Sequence, residues 1–224
     1  MKKIDIAVVD YGMGNLRSVS KALEHVAPEK NVVVTSNPED IEKAERVVFP
    51  GQGAMPDCMR ELDARGLRES VMHVARNKPF LGICIGLQML FEHSEEGDAA
   101  GLGLLKGNVK RFAAAEMHGV NGEKLKVPHM GWNQVYQTQY SQTDASQLQS
   151  HALWKNIENG ARFYYVHSYY VQPDDDLIIS GYSEYPNRFT GAIALDNLFA
   201  VQFHPEKSAN AGLQMLSNFV NWLP

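Results

Sequence analysis

Lys78-Pro79-Phe80-Leu81-Gly82-Ile83-Cys84-Ile85-Gly86-Leu87-Gln88-Met89-Leu90-Phe91 joins a turn, a short apolar strand and a helix-like run around one thiol. Lys78-Pro79 reads as the turn and Phe80–Ile83 as a fully apolar strand. Beyond Cys84, the apolar residues at 87, 90 and 91 have helical spacing. Gly82-x-Cys84-x-Gly86 is the small-x-nucleophile-x-small pattern of a nucleophile elbow, with cysteine as the nucleophile. Glycine on both sides lets strand and helix pass the corner without a Cβ in the way. A cysteine there meets unpaired helix N–H groups and the positive end of the macrodipole, which favour the thiolate. The same five residues also describe an inert cysteine buried between two glycines. The rest of the chain has to decide between the two.

A second cluster lies near the C-terminus. Leu198-Phe199-Ala200-Val201-Gln202-Phe203 reads as a strand ending in His204-Pro205-Glu206. A histidine just past a strand end can take a thiol proton as general base. A carboxylate two residues on can orient the imidazole and stabilise its protonated form, as the third member of a triad does. Metal ligation or a surface His-x-Glu are the competing readings of this segment alone. The third part is Val47-Val48-Phe49-Pro50-Gly51-Gln52-Gly53-Ala54-Met55, a strand running into a Pro-Gly-x-Gly turn and then a helix through about Asp63. Such a turn exposes backbone N–H groups at the sheet edge. With the Ile85 N–H, that at Gln52 could form an oxyanion hole, where loss of one donor typically costs about 2.7–4 kcal/mol of transition-state stabilisation.

The coarse pattern alternates strand and helix: strand 4–10, helix 16–26, strands 32–35 and 46–49, helix 67–77, strand 80–83. Apolar runs separated by helices imply right-handed crossovers and a parallel sheet covered on both faces. After Gly101 the pattern changes to paired strands. Asn121-Gly122 between 116–120 and 123–127 predicts a hairpin, and Asp196-Asn197 joins 192–195 to 199–203 in the same way. Apolar residues at 213, 216, 219, 220 and 223 predict a closing helix over 211–223. With no repeat and no linker, residues 1–224 are expected to form one domain. Its expected class is α/β: a three-layer, flavodoxin-like, mostly parallel sheet flanked by helices, with antiparallel hairpins added in the C-terminal half. Gly12-Met13-Gly14-Asn15 after the first strand could suggest a dinucleotide loop, but Arg17 stands where the third glycine is needed.

Gly82-x-Cys84-x-Gly86-x-Gln88 together with His204-Pro205-Glu206 resembles the class I, triad-type glutamine amidotransferases. The likeness runs from about Asp5 to Leu223. Asp10-Tyr11-Gly12-Met13-Gly14-Asn15-Leu16, Pro128-His129-Met130-Gly131-Trp132-Asn133, Val166-His167-Ser168-Tyr169-Tyr170 and Phe203-His204-Pro205-Glu206-Lys207-Ser208 narrow it to one branch. That branch delivers ammonia to a (βα)₈-barrel cyclase of histidine biosynthesis, as one half of a heterodimer. The resemblance implies hydrolysis of the L-glutamine side-chain amide through a Cys84 thioester, with His204 and Glu206 completing the triad. It further implies that Gly51, Gln52 and Gln88 line the glutamine pocket, that His167, Ser168 and Tyr169 help hold substrate, and that Asn15, Trp132 and Lys207 face the partner. Core packing for Trp132 and a solvated surface charge for Lys207 are the plainer alternatives. Gln52 departs from the aliphatic residue common in the Pro-Gly-x-Gly turn, and the polar stretch 137–147 is longer than a minimal loop.

Composition adds limits. A chain of 224 residues can bury roughly 70% of its unfolded surface, so its core needs no staples. A formal charge of −5 with scattered lysines offers no footprint for nucleic acid or acidic membranes. The two cysteines, Cys58 and Cys84, with no Cys-x-x-Cys pair, suit a reducing cytoplasm. Asp5 and Asp10 interrupt the first apolar run below signal-peptide length, and no run reaches the ~18 apolar residues of a span. No cofactor and no metal are expected. Outside the amidotransferases, a γ-glutamyl hydrolase or related peptidase, or a binding module that kept the fold, would fit parts of the pattern. An amidotransferase serving another acceptor is a further option.

Overall fold

The computed structural model describes residues 3–119, 122–139 and 150–224. Its strands are β1 (Ile6–Val9), β2 (Val32–Thr35), β3 (Arg46–Gly51), β4 (Phe80–Cys84), β5 (Phe91–Ser94), β6 (Ala99–Ala100) and β7 (Leu105–Arg111). They continue with β8 (His129–Gln134), β9 (Tyr136–Gln137), β10 (Arg162–His167), β11 (Tyr169–Pro173), β12 (Ile179–Glu184), β13 (Arg188–Leu195) and β14 (Leu198–Val201). The helices are α1 (Leu16–Val26), α2 (Pro38–Lys43), α3 (Met55–Ala64), α4 (Arg68–Asn77), α5 (Ile85–Gln88) and α6 (Ala209–Asn221).

Among the described residues, eight strands form one sheet in the order β2-β1-β3-β4-β14-β13-β12-β9. The first five run parallel, and the last three continue antiparallel. The parallel half has the doubly wound 2-1-3-4-5 order of flavodoxin-like folds. The strands of its centre are buried on both faces, as in the IAVV run of β1. Successive residues feed opposite layers: Ala7 and Val9 pack with Ile41 of α2, Cys58 and Leu62 of α3, and Val71 and Val74 of α4. Ile6 and Val8 pack with Val19 and Leu23 of α1 and Leu216 and Phe219 of α6. The expected three-layer α/β class with C-terminal antiparallel strands is what forms. A four-stranded sheet, β11-β7-β5-β6, and the antiparallel pair β8–β10 sit beside the main sheet. No helix among the described residues is long and apolar enough to cross a membrane.

Two local expectations are corrected. The helix after Cys84 is one turn, not a run to Phe91: the Leu90 N–H turns back to the Leu87 carbonyl, and the Met89 and Leu90 carbonyls accept from the N–H groups of Leu102, Leu104 and Leu105. The chain therefore leaves α5 into β5. Among the described residues the 116–127 hairpin shows one antiparallel bridge, His118 with Lys124, after a 3₁₀ turn at Ala114–Glu116; Asn121 lies outside them. The polar stretch 137–147 lies outside them from residue 140. The short α2 carried no periodic signal. It is set by local capping, with Asn37 accepting from the Glu39 N–H at 2.9 Å and Pro38 opening the first turn.

Candidate active site

Cys84 closes β4 and opens α5 with φ 57° and ψ −111°, a conformation that a non-glycine residue adopts at a cost of about 1–3 kcal/mol. Packing holds it there. A Cβ on Gly86 would collide with the Phe49 carbonyl oxygen, and one on Gly82 would lie 2.9 Å from Ala200 Cβ. Both glycines therefore let the corner sit against its neighbouring strands, and the thiol emerges at the carboxyl end of the sheet. Cys84 is 7% exposed.

His204 arrives three residues past β14. Its N–H donates to the Tyr164 carbonyl at 2.9 Å, and its own carbonyl accepts from Ser208 Oγ at 2.6 Å. The ring Nδ1 is 2.9 Å from Glu206 Oε1, and both side chains are almost wholly buried. Its Nε2 is also buried and makes no hydrogen bond of standard geometry; the Cys84 sulfur is the neighbour it interacts with beyond Glu206. Burial alone would push this imidazole down. The Cys84 sulfur and then the Glu206 carboxylate outweigh it and raise the group to about 10. An imidazole raised by a sulfur on one side and a carboxylate on the other is built to hold a proton taken from the thiol.

A cavity of about 310 Å³ opens onto these groups, lined by Cys84, Ile85, Gln88, His204, Gln52, Gly53, Glu96, Pro128, Val166, His167, Ser168 and Tyr169. That is the small end of the ligand-pocket range, suited to an amino acid. The expected pocket residues are therefore brought together, with two qualifications. Gly51 is not in the lining; it is packed behind the wall, where an added Cβ would strike Tyr11 and Ile85. His167 has both ring nitrogens committed, Nδ1 to the Tyr169 carbonyl at 2.8 Å and Nε2 to His129 Nδ1 at 2.9 Å, so it shapes the wall. Burial lowers His167 to about 3, reinforced by neighbouring His129, and lowers His129 to about 4.

Near the turn after β3, the Gln52 carbonyl accepts from the Cys58 thiol at 3.6 Å. A trans peptide sends the next N–H the opposite way, so this contact points the Gly53 N–H away from Cys58. Burial raises the Cys58 thiol to about 11, in keeping with an inert helix cysteine. Glu96 and Gln202 were not singled out in the sequence. Glu96 reaches the cavity from a 3₁₀ turn and caps α3 by accepting from the Met55 N–H at 2.8 Å. Of the residues expected to face a partner, Trp132 is 50% exposed on β8, not packed in the core, and Met130 beside it is 62% exposed. Lys207 is exposed, and Asn15 is half-buried at the start of α1. No group of three His, Cys, Asp or Glu among the described residues is arranged to hold a metal ion.

Fold and site together define a class of enzyme. The glutamine amidotransferase class-I family model matches residues 7–222, and the chain belongs to that family. Several curated relatives within it carry one name. The chain is 65% identical over 220 residues to "Imidazole glycerol phosphate synthase subunit HisH" of Nitrosospira multiformis, covering 98% of this chain and 99% of that protein. It is 64% identical over 221 residues to the protein of the same name from Thiobacillus denitrificans, covering 99% and 92%. Among solved structures, a glutamine amidotransferase from Thermotoga maritima matches with TM-score 0.57 at 16% identity, over 94% of this chain and 80% of that one. PurLQS from the same organism matches with TM-score 0.66 at 18% identity, over 98% and 99%. At those identities the structures speak for the fold alone.

Proposed function

We propose that the chain is the glutaminase half of an imidazole glycerol phosphate synthase. It hydrolyses the side-chain amide of L-glutamine at Cys84 and passes ammonia to a (βα)₈-barrel cyclase that makes imidazole glycerol phosphate and AICAR in histidine biosynthesis. The observation that carries this reading is the buried His204, flanked by the Cys84 sulfur and the Glu206 carboxylate and raised by both. His204 takes the thiol proton and Cys84 Sγ attacks the amide carbon. Negative charge on the former carbonyl oxygen is met by the Ile85 N–H and by the Gln52 N–H of the turn after β3. His204 then gives its proton to the departing nitrogen, releasing ammonia and leaving a glutamyl thioester. Water, deprotonated by His204, attacks the thioester; the C–S bond breaks, and glutamate leaves with the thiol restored. Glu96 suits the α-ammonium of glutamine, having one oxygen on Met55 and the other unassigned. Ser168 and Tyr169 line the same cavity.

The whole chain works as one domain in this reading, in a cytoplasm reducing enough for both cysteines to stay free thiols. Asn15, Trp132 and Lys207 belong to the cyclase interface, with the exposed Met130–Trp132 segment as its apolar part. Hydrolysis without an acceptor wastes glutamine, so the two subunits are coupled. Glutamate release, assayed for the chain alone and with a ligand-loaded barrel cyclase, tests the proposal. The expected result is slow release alone, faster release with the partner, and none from Cys84→Ser in either case. Equal rates with and without the cyclase reject the coupling, and full activity of Cys84→Ser rejects the mechanism.

A further inference from the structure

A backbone carbonyl can only accept, so a side chain bound to one has its polarity assigned by that contact. Gln88 Nε2 donates to the Tyr169 carbonyl at 3.0 Å and to Gln202 Oε1 at 2.9 Å. The first contact makes the Gln88 atom a nitrogen, since an oxygen there would face an oxygen. The second then requires oxygen on the near side of the Gln202 amide. Its nitrogen is left on the far side, where Nε2 is 3.8 Å from Cys84 Sγ. Turning the Gln202 amide round would set two NH₂ groups against each other. Gln88 and Gln202 are 3% and 0% exposed, so no solvent repairs that mismatch. His167 Nδ1 donates to the same Tyr169 carbonyl and fills its second lone pair.

We infer that Gln202 is a further catalytic residue: its Nε2–H group donates to the Cys84 sulfur and stabilises the thiolate, with Gln88 and the Tyr169 carbonyl fixing the direction of that donation. The inference rests on Cys84 being the nucleophile. The other ionisable groups felt around that sulfur are His204, with Glu206 behind it, Tyr11 after β1 and Cys58 on α3. Of these, His204 is the proton carrier, and the two raised groups, Tyr11 and Cys58, stay neutral near pH 7. Gln202 supplies a donor that carries no charge and cannot itself take the proton away.

The test is the rate of Cys84 alkylation by iodoacetamide over a pH series, located by peptide mass spectrometry in the full chain. Gln202→Leu removes the donor and is expected to slow alkylation near neutral pH about tenfold and move the profile to higher pH. Gln202→Glu keeps the shape, sets an oxygen against the sulfur, and is expected to slow it further. In both, kcat falls while KM stays near that of wild type, which a merely structural role would not produce. A folded variant with wild-type alkylation and kcat overturns the inference. Should neither variant fold, the Gln202 side-chain amide resonance of the wild-type protein decides. It is expected to shift when Cys84 is alkylated, and an unmoved resonance overturns the proposal. If instead a diazo-ketone glutamine analogue leaves wild-type Cys84 unlabelled, it is the nucleophile assignment that fails, whatever Gln202 does.

Discussion

His204 and the three histidines at 129, 151 and 167 are all buried, yet their surroundings push them in opposite directions. His204 faces the Cys84 sulfur and the Glu206 carboxylate and is raised to about 10; burial lowers His129 and His151 to about 4 and His167 to about 3. The signs have separate consequences. A raised folded value gives His204 a stabilising contribution that is full below about 6.5 and is lost as pH climbs towards 10. For the other three, the unfolded chain takes up protons first, so stability falls as pH drops from about 6.5 towards 4 and 3. Urea midpoints across a pH series should decline on the acid side, and His151→Gln should make that decline shallower by about one proton. An unchanged slope in the variant would contradict the assignment. At this scale Cys84, His204 and Glu206 are legible in the sequence because each sits in a short local motif. Gln202 and Glu96 are not. The role of Gln202 depends on Gln88, 114 residues away, and Glu96 reaches the cavity only through the packing of a 3₁₀ turn on α3.

Elements position these residues by close backbone approach. The β4–α5 corner lies so near β3 that Gly86 has no room for a Cβ beside the Phe49 carbonyl. Gly86→Ala should therefore lower stability by about 1–3 kcal/mol, the usual cost of overpacking. Glutaminase activity should fall with it, because the corner carries both the thiol and the Ile85 N–H. A denaturant midpoint equal to wild type would show that the corner is looser than its packing implies. The parallel strands were readable as apolar runs because both of their faces are buried. The sheet β11-β7-β5-β6 was not, since its strands are short or half-exposed and β7 pairs with β11, far along the chain. The one-turn length of α5 escaped the periodicity for a related reason. The apolar spacing at 87, 90 and 91 is real, but after the Leu90 N–H turns back to the Leu87 carbonyl the chain pairs with residues 102–105 instead of continuing the helix.

Across the molecule, the functional segments collect at the carboxyl ends of the parallel strands, where open α/β sheets bind their ligands. Gly12–Asn15 follows β1, Gly51–Gly53 ends β3, Cys84 ends β4, and His204 lies past β14. The β8–β10 pair links this edge to an exposed apolar face. His129 backs the pocket wall through its contact with His167, while Met130 and Trp132, further along the same strand, stay in solvent at 62% and 50% exposure. Such a patch on one strand is the sort of surface that a partner covers, and it lies beside the wall of the cavity at Cys84. The doubly wound half could be read from sequence, but the mixed sheets that finish the cavity depend on tertiary pairing. The most direct measurement is covalent labelling with a diazo-ketone glutamine analogue, mapped by peptide mass spectrometry. The account predicts one adduct, on Cys84, with matching loss of glutamate release. An adduct on Cys58 instead, or full activity after labelling, would contradict it.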